Sequence, residues 1–166
     1  MPIYLNINNY LSFYRVFFVF KNPMLLIISL IFKKPPKIIM IRTPIGTLKL
    51  HIRNYESLKT IFSIFCRQDY QIKNNNAHFL DIGANCGYSA VYFLSRNHIN
   101  TITCFEPDPK NVEYLKNNLY LFEERVKIIN SGVGTINSEV DLFLSKDGKY
   151  NSIIENKKLE TIKIKL

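Results

Sequence analysis

Two stretches of the chain carry residues whose types and spacing could do chemistry. The first is Asp81-Ile82-Gly83-Ala84-Asn85-Cys86-Gly87-Tyr88-Ser89, which closes a short apolar run; the second is Phe105-Glu106-Pro107, which closes another. In open α/β sheets, ligands sit beyond the carboxyl ends of strands, where loops such as these lie. Gly83 and Gly87 allow a sharp turn and close approach of backbone to a ligand. The helix start after Gly87 presents N–H groups and a positive dipole end, which suit a carboxylate. Glu106 stands 23 residues after Gly83, a spacing that lets a carboxylate reach a ribose diol from the second strand.

Two nucleotide-like ligands fit that outline. A dinucleotide would call for G-x-G-x-x-G, and Asn85 occupies the place of the middle glycine. Asp81 also opposes a pyrophosphate, because like charges repel. The same carboxylate suits the ammonium and sulfonium end of S-adenosyl-L-methionine. The residues expected to hold that cofactor are Asp81, Gly83, Ala84, Asn85, Gly87, Tyr88, Ser89, Glu106 and Pro107, with Ser131 and Gly132 where the adenine would pass. A turn role explains Asn85, Ser131 and Gly132 equally well. Capping and packing of the helix would account for Tyr88 and Ser89, and Pro107 also fits a purely structural role.

These stretches resemble the FkbM-type methyltransferase family. That family shows Asp-x-Gly-Ala-Asn-x-Gly-Tyr-x-Ser, then Phe-Glu-Pro-x-Pro, then a helix with Leu-Lys-x-Asn. The matching residues here are Asp81–Ser89, Phe105–Pro109 and Leu115-Lys116-Asn117-Asn118. The resemblance takes in residues 38–166 and is most specific in the loop. It implies methyl transfer from S-adenosylmethionine to a hydroxyl of a small molecule or glycan, a sugar or natural product. The family continues into a strand bearing Ile-Asp-Val-Glu-Gly, which this sequence lacks; its alternating run Thr161–Leu166 ends the chain. The expectation is therefore a fragment that carries the cofactor side without the acceptor side. The other function class is a catalytically inactive nucleotide-binding remnant or partner subunit.

The elements that must position these residues can be read from periodicity. His78–Ile82, Thr101–Phe105 and Val126–Ile129 are short apolar runs, and Tyr88–Arg96 between the first two reads as a helix. Asp108-Pro109 is a helix start, an N-cap followed by proline. Val112, Leu115, Leu119 and Phe122 follow on one face. Strand, helix, strand, helix, strand implies a parallel sheet. The fold class is α/β, Rossmann-like, with an incomplete parallel sheet and an added β-hairpin. Upstream, Lys37–Arg42 and Thr47–Arg53 flank Thr43-Pro44-Ile45-Gly46 as a hairpin, and Tyr55–Arg67 has the i, i+3, i+4, i+7 spacing of an amphipathic helix. Asp69–Ala77 reads as a loop, and a turn is expected near Asp147-Gly148.

Residues 1–37 form an apolar leader. Tyr10–Phe32 reads as one or two helices broken near Asn22-Pro23. Its longest uncharged part, Asn22–Phe32, has 11 residues, against about 20 for a spanning helix. Residues 1–50 hold seven basic side chains and no acidic one, whereas the rest holds fifteen basic and thirteen acidic. That asymmetry predicts peripheral contact with an anionic membrane face. Nucleic acid is not an expected partner, since its binding would want the basic residues spread over a face. Cys66, Cys86 and Cys104 show no C-x-x-C spacing and are expected to be small buried hydrophobes, with no metal site, in a cytoplasmic protein. No histidine is placed to act as a base: His78 and His98 fall at the wrong end of the sheet and His51 lies in the leading hairpin. No catalytic residue is assigned.

Overall fold

The structure, a computed structural model, describes residues 7–70, 77–136, 138–145, 151, 153 and 160–166. Two helices come first, α1 (Ile7–Val19) and α2 (Pro23–Phe32), with Asn22 as the N-cap between them. The Asn22 side chain accepts from the Leu25 N–H at 3.2 Å, and Pro23 sits at the first helical position, so the break falls where Asn-Pro predicts it. Each helix buries one side: Ser12, Val16 and Phe20 at α1, Leu26 and Ser29 at α2.

β1 (Ile38–Thr43) and β2 (Gly46–His51) form the antiparallel hairpin read from the sequence. Ile39, Ile41, Leu48 and Leu50 point into the core shared with Val16, Phe20 and Leu26. α3 (Tyr55–Ile61) follows, capped by Asn54. The periodicity predicts one helix through Arg67, but the α-helix stops at Ile61 and continues as a wider π-helical turn over Phe62–Arg67. That turn buries the consecutive residues Ile64, Phe65 and Cys66 beneath α1. Residues 71–76 of the expected loop and the expected turn at Asp147-Gly148 lie outside the described residues.

β3 (His78–Ile82), α4 (Tyr88–Leu94), β4 (Thr101–Phe105), α5 (Pro109–Leu119), a 3-10 turn (Tyr120–Arg125) and β5 (Val126–Ile129) then build the βαβαβ unit of a Rossmann-like sheet. The strands are parallel in the order β3-β4-β5, with Asp81 beside Cys104 and Ile82 beside Phe105. α4 and α5 pack on one face, over Phe79, Ile102, Cys104 and Ile128. Phe79 and Phe93 stack at 4.6 Å between centroids, fixing α4 to β3. The opposite face carries Leu80 and Ile82, both exposed. Val112, Leu115, Leu119 and Phe122 are all buried, as their spacing predicts. A second antiparallel hairpin, β6 (Glu139–Leu144) with β7 (Glu160–Lys165), completes the described chain.

Candidate functional site

The site is built at the carboxyl end of β3. Between Ile82 and α4 the backbone is left-handed at Gly83 (φ 77°), Asn85 (φ 51°) and Gly87 (φ 83°). Asn is among the few side chains that tolerate this region, and Asn85 Oδ1 steadies it by accepting from the Cys86 N–H at 2.8 Å. Gly87 has a second constraint: a Cβ there would stand 2.6 Å from Cδ1 of the fully buried Leu115, whereas one on Gly83 would meet open space.

Five successive amides of this loop are satisfied within the protein. The N–H groups of Gly83 and Ala84 donate to the Phe105 carbonyl at 2.9 and 3.0 Å, and that of Asn85 donates to Glu106 Oε2 at 2.7 Å. Cys86 donates to Asn85 Oδ1, and Gly87 to the Ala84 carbonyl at 2.8 Å. A phosphate cradle needs such groups aimed at the ligand. Here three of them hang the loop on the end of β4 and two close the turn within the loop itself.

Glu106 is the anchor of that arrangement. It is 4% exposed, and besides Asn85 it accepts from the Asp108 N–H at 3.0 Å and Asn111 Nδ2 at 3.1 Å. Burial pushes its carboxyl above the ordinary value, and these N–H donors draw it part of the way back. The sequence leads one to expect a ribose ligand in Glu106; what the structure gives it is this clamping role. A carboxylate has about four acceptor positions, and three are filled.

Asp81 opens onto a different space. A cleft of about 280 Å³ lies between the loop and α3, lined on one side by Asp81, Gly83, Ala84, Asn85, Tyr88 and Ser89. Its other side carries Asn54, Glu56, Ser57, Thr60, Ile64 and Tyr70. Ser89 Oγ donates to Asp81 Oδ2 at 2.6 Å. Burial pushes the Asp81 carboxyl up from its usual value, and the Ser89 hydrogen bond offsets part of that rise. The Tyr88 hydroxyl is tied below, donating to the His51 carbonyl at 2.9 Å, with burial raising its pKa.

The cleft thus gathers six of the expected residues, and Gly87, Glu106, Pro107, Ser131 and Gly132 lie outside its lining. The Ser131 N–H donates back to the Ile129 carbonyl at 3.0 Å, while Gly132 sits against β7: its N–H donates to the Lys165 carbonyl at 2.8 Å, and a Cβ on it would stand 2.7 Å from Leu166 Cδ2. None of the three histidines lines the cleft. His78 meets Thr101 and Thr103 through its two ring nitrogens at the far half of β3.

Sequence reasoning missed the α3 side of the cleft and the role of Asn118. Asn54 caps α3, accepting from the Ser57 N–H at 2.9 Å. Glu56 and Thr60 follow on the side away from the apolar stripe, and that polar side was the available signal. Asn118, the last residue of the Leu-Lys-x-Asn pattern, accepts from the His51 N–H at 2.7 Å and donates to the Cys86 carbonyl at 2.8 Å. It ties α5, β2 and the loop together. The cysteines are buried as expected, and burial raises the thiols of Cys66 and Cys104 to about 12 and that of Cys86 to about 11. They stay un-ionised.

No protein-family model and no curated protein matches the chain. Among solved structures, it is similar to a methyltransferase FkbM from Methylobacillus flagellatus KT, at 16% identity and a TM-score of 0.38, over 52% of this chain and 30% of that one. It is also similar to a precorrin-6y C5,15-methyltransferase from Geobacter metallireducens GS-15, at 18% identity and a TM-score of 0.34, over 48% of this chain and 40% of that one. The matched parts thus span less than half the length of either protein. The site itself, an acidic cleft beside a glycine loop whose amides are satisfied internally, bears on the ligand more directly.

Proposed function

We propose that the cleft at Asp81 binds the amino-acid end of S-adenosyl-L-methionine and that the protein is an S-adenosylmethionine-dependent methyltransferase. The observation that carries this reading is the pairing of a half-buried carboxylate open to the cleft with a loop whose amides from Gly83 to Gly87 are all engaged. The engaged loop amides form no phosphate cradle of their own, and the carboxylate offers an ammonium its partner. Glu56, ion-paired with Lys59, stands on the facing wall. The cleft volume lies near the lower end for ligand pockets, which suits one end of the cofactor. The adenosine would extend from there towards the end of β4, where Glu106 has an acceptor position left for a ribose hydroxyl. When bound, the cofactor supplies an electrophilic methyl group. This chain holds the donor and sets its orientation.

The acceptor we propose is a hydroxyl of a sugar or natural product, on the resemblance of Asp81–Ser89 and Phe105–Pro109 to the FkbM-type pattern. The test is transfer of labelled methyl from S-adenosylmethionine to pooled sugars and hydroxylated small molecules. Label in the acceptor pool that disappears in Asp81→Ala supports the reading. Label transferred equally well by Asp81→Ala contradicts it. A second reading, a cofactor-binding subunit without its own turnover, is favoured by the lack of any histidine lining the cleft, since methylation of a hydroxyl needs a base near the oxygen. Binding without transfer would select it.

A further inference from the structure

We infer that the outer face of α1 and α2 is a docking surface for an anionic lipid bilayer, lying in the headgroup–acyl boundary without crossing it. Both helices are apolar on two sides. The inner sides fill the protein core, and the outer sides leave Phe13, Phe17 and Phe18 of α1 and Ile28, Ile31 and Phe32 of α2 between 48% and 67% exposed. A helix facing water carries charged or polar residues on its outer side. α2 has no charged residue, and Arg15, the one charge in α1, turns inward to donate to the Cys66 carbonyl at 3.1 Å. Six large apolar side chains left exposed on two successive helices mark an interaction site.

Charge says which partner covers it. Lys21 lies between the helices, and Lys33 and Lys34 follow the end of α2, all exposed. Arg42 sits at the end of α1, donating to the Phe20 carbonyl at 2.7 Å. No acidic residue precedes Glu56 in the sequence. An exposed apolar face in a stretch whose charges are all basic complements an anionic leaflet, to which each basic side chain near the surface adds attraction. A second copy of the same face would bring like charges together, and nucleic acid would meet aromatic side chains where it needs cations. Length fixes the mode. α2, with 10 residues, is about 15 Å long, half the hydrocarbon thickness. No described helix is long and apolar enough to cross a membrane.

The test is co-sedimentation of the whole chain with vesicles of pure phosphatidylcholine and of phosphatidylcholine mixed with phosphatidylglycerol. Binding is expected only to the anionic vesicles, with release by high salt. Lys33→Gln with Lys34→Gln, both exposed and outside the core, should lower the partition coefficient roughly thirtyfold, from about a factor of five per lysine. Phe17→Asp with Ile28→Asp should abolish binding while the thermal midpoint stays near that of the unaltered protein. Equal binding to neutral vesicles, indifference to the lysine substitutions, or retention that only detergent reverses would overturn the inference. So would a salt-resistant dimer, seen by sedimentation, that these aspartates dissociate.

Discussion

Ser89 Oγ and Asp81 Oδ2 lie 2.6 Å apart across the mouth of the glycine loop, the hydroxyl donating from the first turn of α4 to the carboxylate at the end of β3. The bond aims Asp81 and favours its ionised form against the opposing effect of burial. Because the carboxyl sits above its usual range, affinity for an ammonium-bearing ligand is expected to rise with pH over a range higher than that of an ordinary aspartate. Ser89→Ala removes the stabilising donor and should move that range higher still. Asp81→Asn should weaken binding about 10- to 100-fold, as for loss of a charge-assisted hydrogen bond. Titrations of S-adenosylmethionine at several pH values check all three; a flat pH profile in the unaltered protein would count against this role.

Glu106 should matter to the fold before it matters to any ligand. Glu106→Ala leaves the N–H groups of Asn85 and Asp108 and the Asn111 amide without their acceptor. The expected loss is about 2–4 kcal/mol, of the order found when buried donors are left unsatisfied. Its pH signature has a definite sign. The folded pKa is raised, so between the unfolded value, about 4.3, and the folded one the native state binds more protons, and stability falls as pH rises. Relative to Glu106→Gln, the unaltered protein should therefore be more favoured below that window than above it. Urea midpoints for both proteins on either side of the window measure this.

The two glycines of the loop should respond differently to alanine. Both have positive φ, but only Gly87 faces Leu115 at 2.6 Å from a built Cβ. Gly83→Ala should cost about 1–2 kcal/mol for the left-handed backbone. Gly87→Ala should cost that and a further 1–3 kcal/mol of overpacking. Equal thermal midpoints for the two variants would show that α5 yields more readily than its burial implies.

Asn118 joins three elements through one side chain, so its loss should be felt at the loop. Asn118→Ala removes the partners of the His51 amide and the Cys86 carbonyl. A loss of about 1–3 kcal/mol is expected, with faster amide exchange at residues 83–87 than in the rest of the sheet. Exchange that quickens evenly across the protein would argue against a specific link to the loop.

How much of this was legible in the sequence depends on whether the signal is local. The strands, α5 and the Asn-Pro break follow from periodicity and capping, which neighbouring residues determine among themselves. Asp108 as an N-cap is such a case: its Oδ1 accepts from the Lys110 N–H at 2.9 Å. The loop was also legible, because Gly83, Asn85 and Gly87 announce a left-handed backbone by type. The direction of Glu106 was not, since a position at a strand end leaves open which donors a carboxylate finds. That Glu56, Thr60 and Tyr70 face the same cleft as the loop after β3 was not legible, although the polar side of α3 was, because the cleft joins residues distant in sequence. The π-helical turn after Ile61 was equally out of reach, because the periodicity that marks a helix does not fix how widely its last turn is wound.

Calorimetric titration of the protein with S-adenosylmethionine and with NAD, repeated with Asp81→Ala, tests the assignment of the cleft most directly. The expected result is binding of S-adenosylmethionine that Asp81→Ala weakens at least tenfold, with NAD bound more weakly or not at all. Tighter binding of NAD, or affinity for S-adenosylmethionine unchanged by Asp81→Ala, would contradict it.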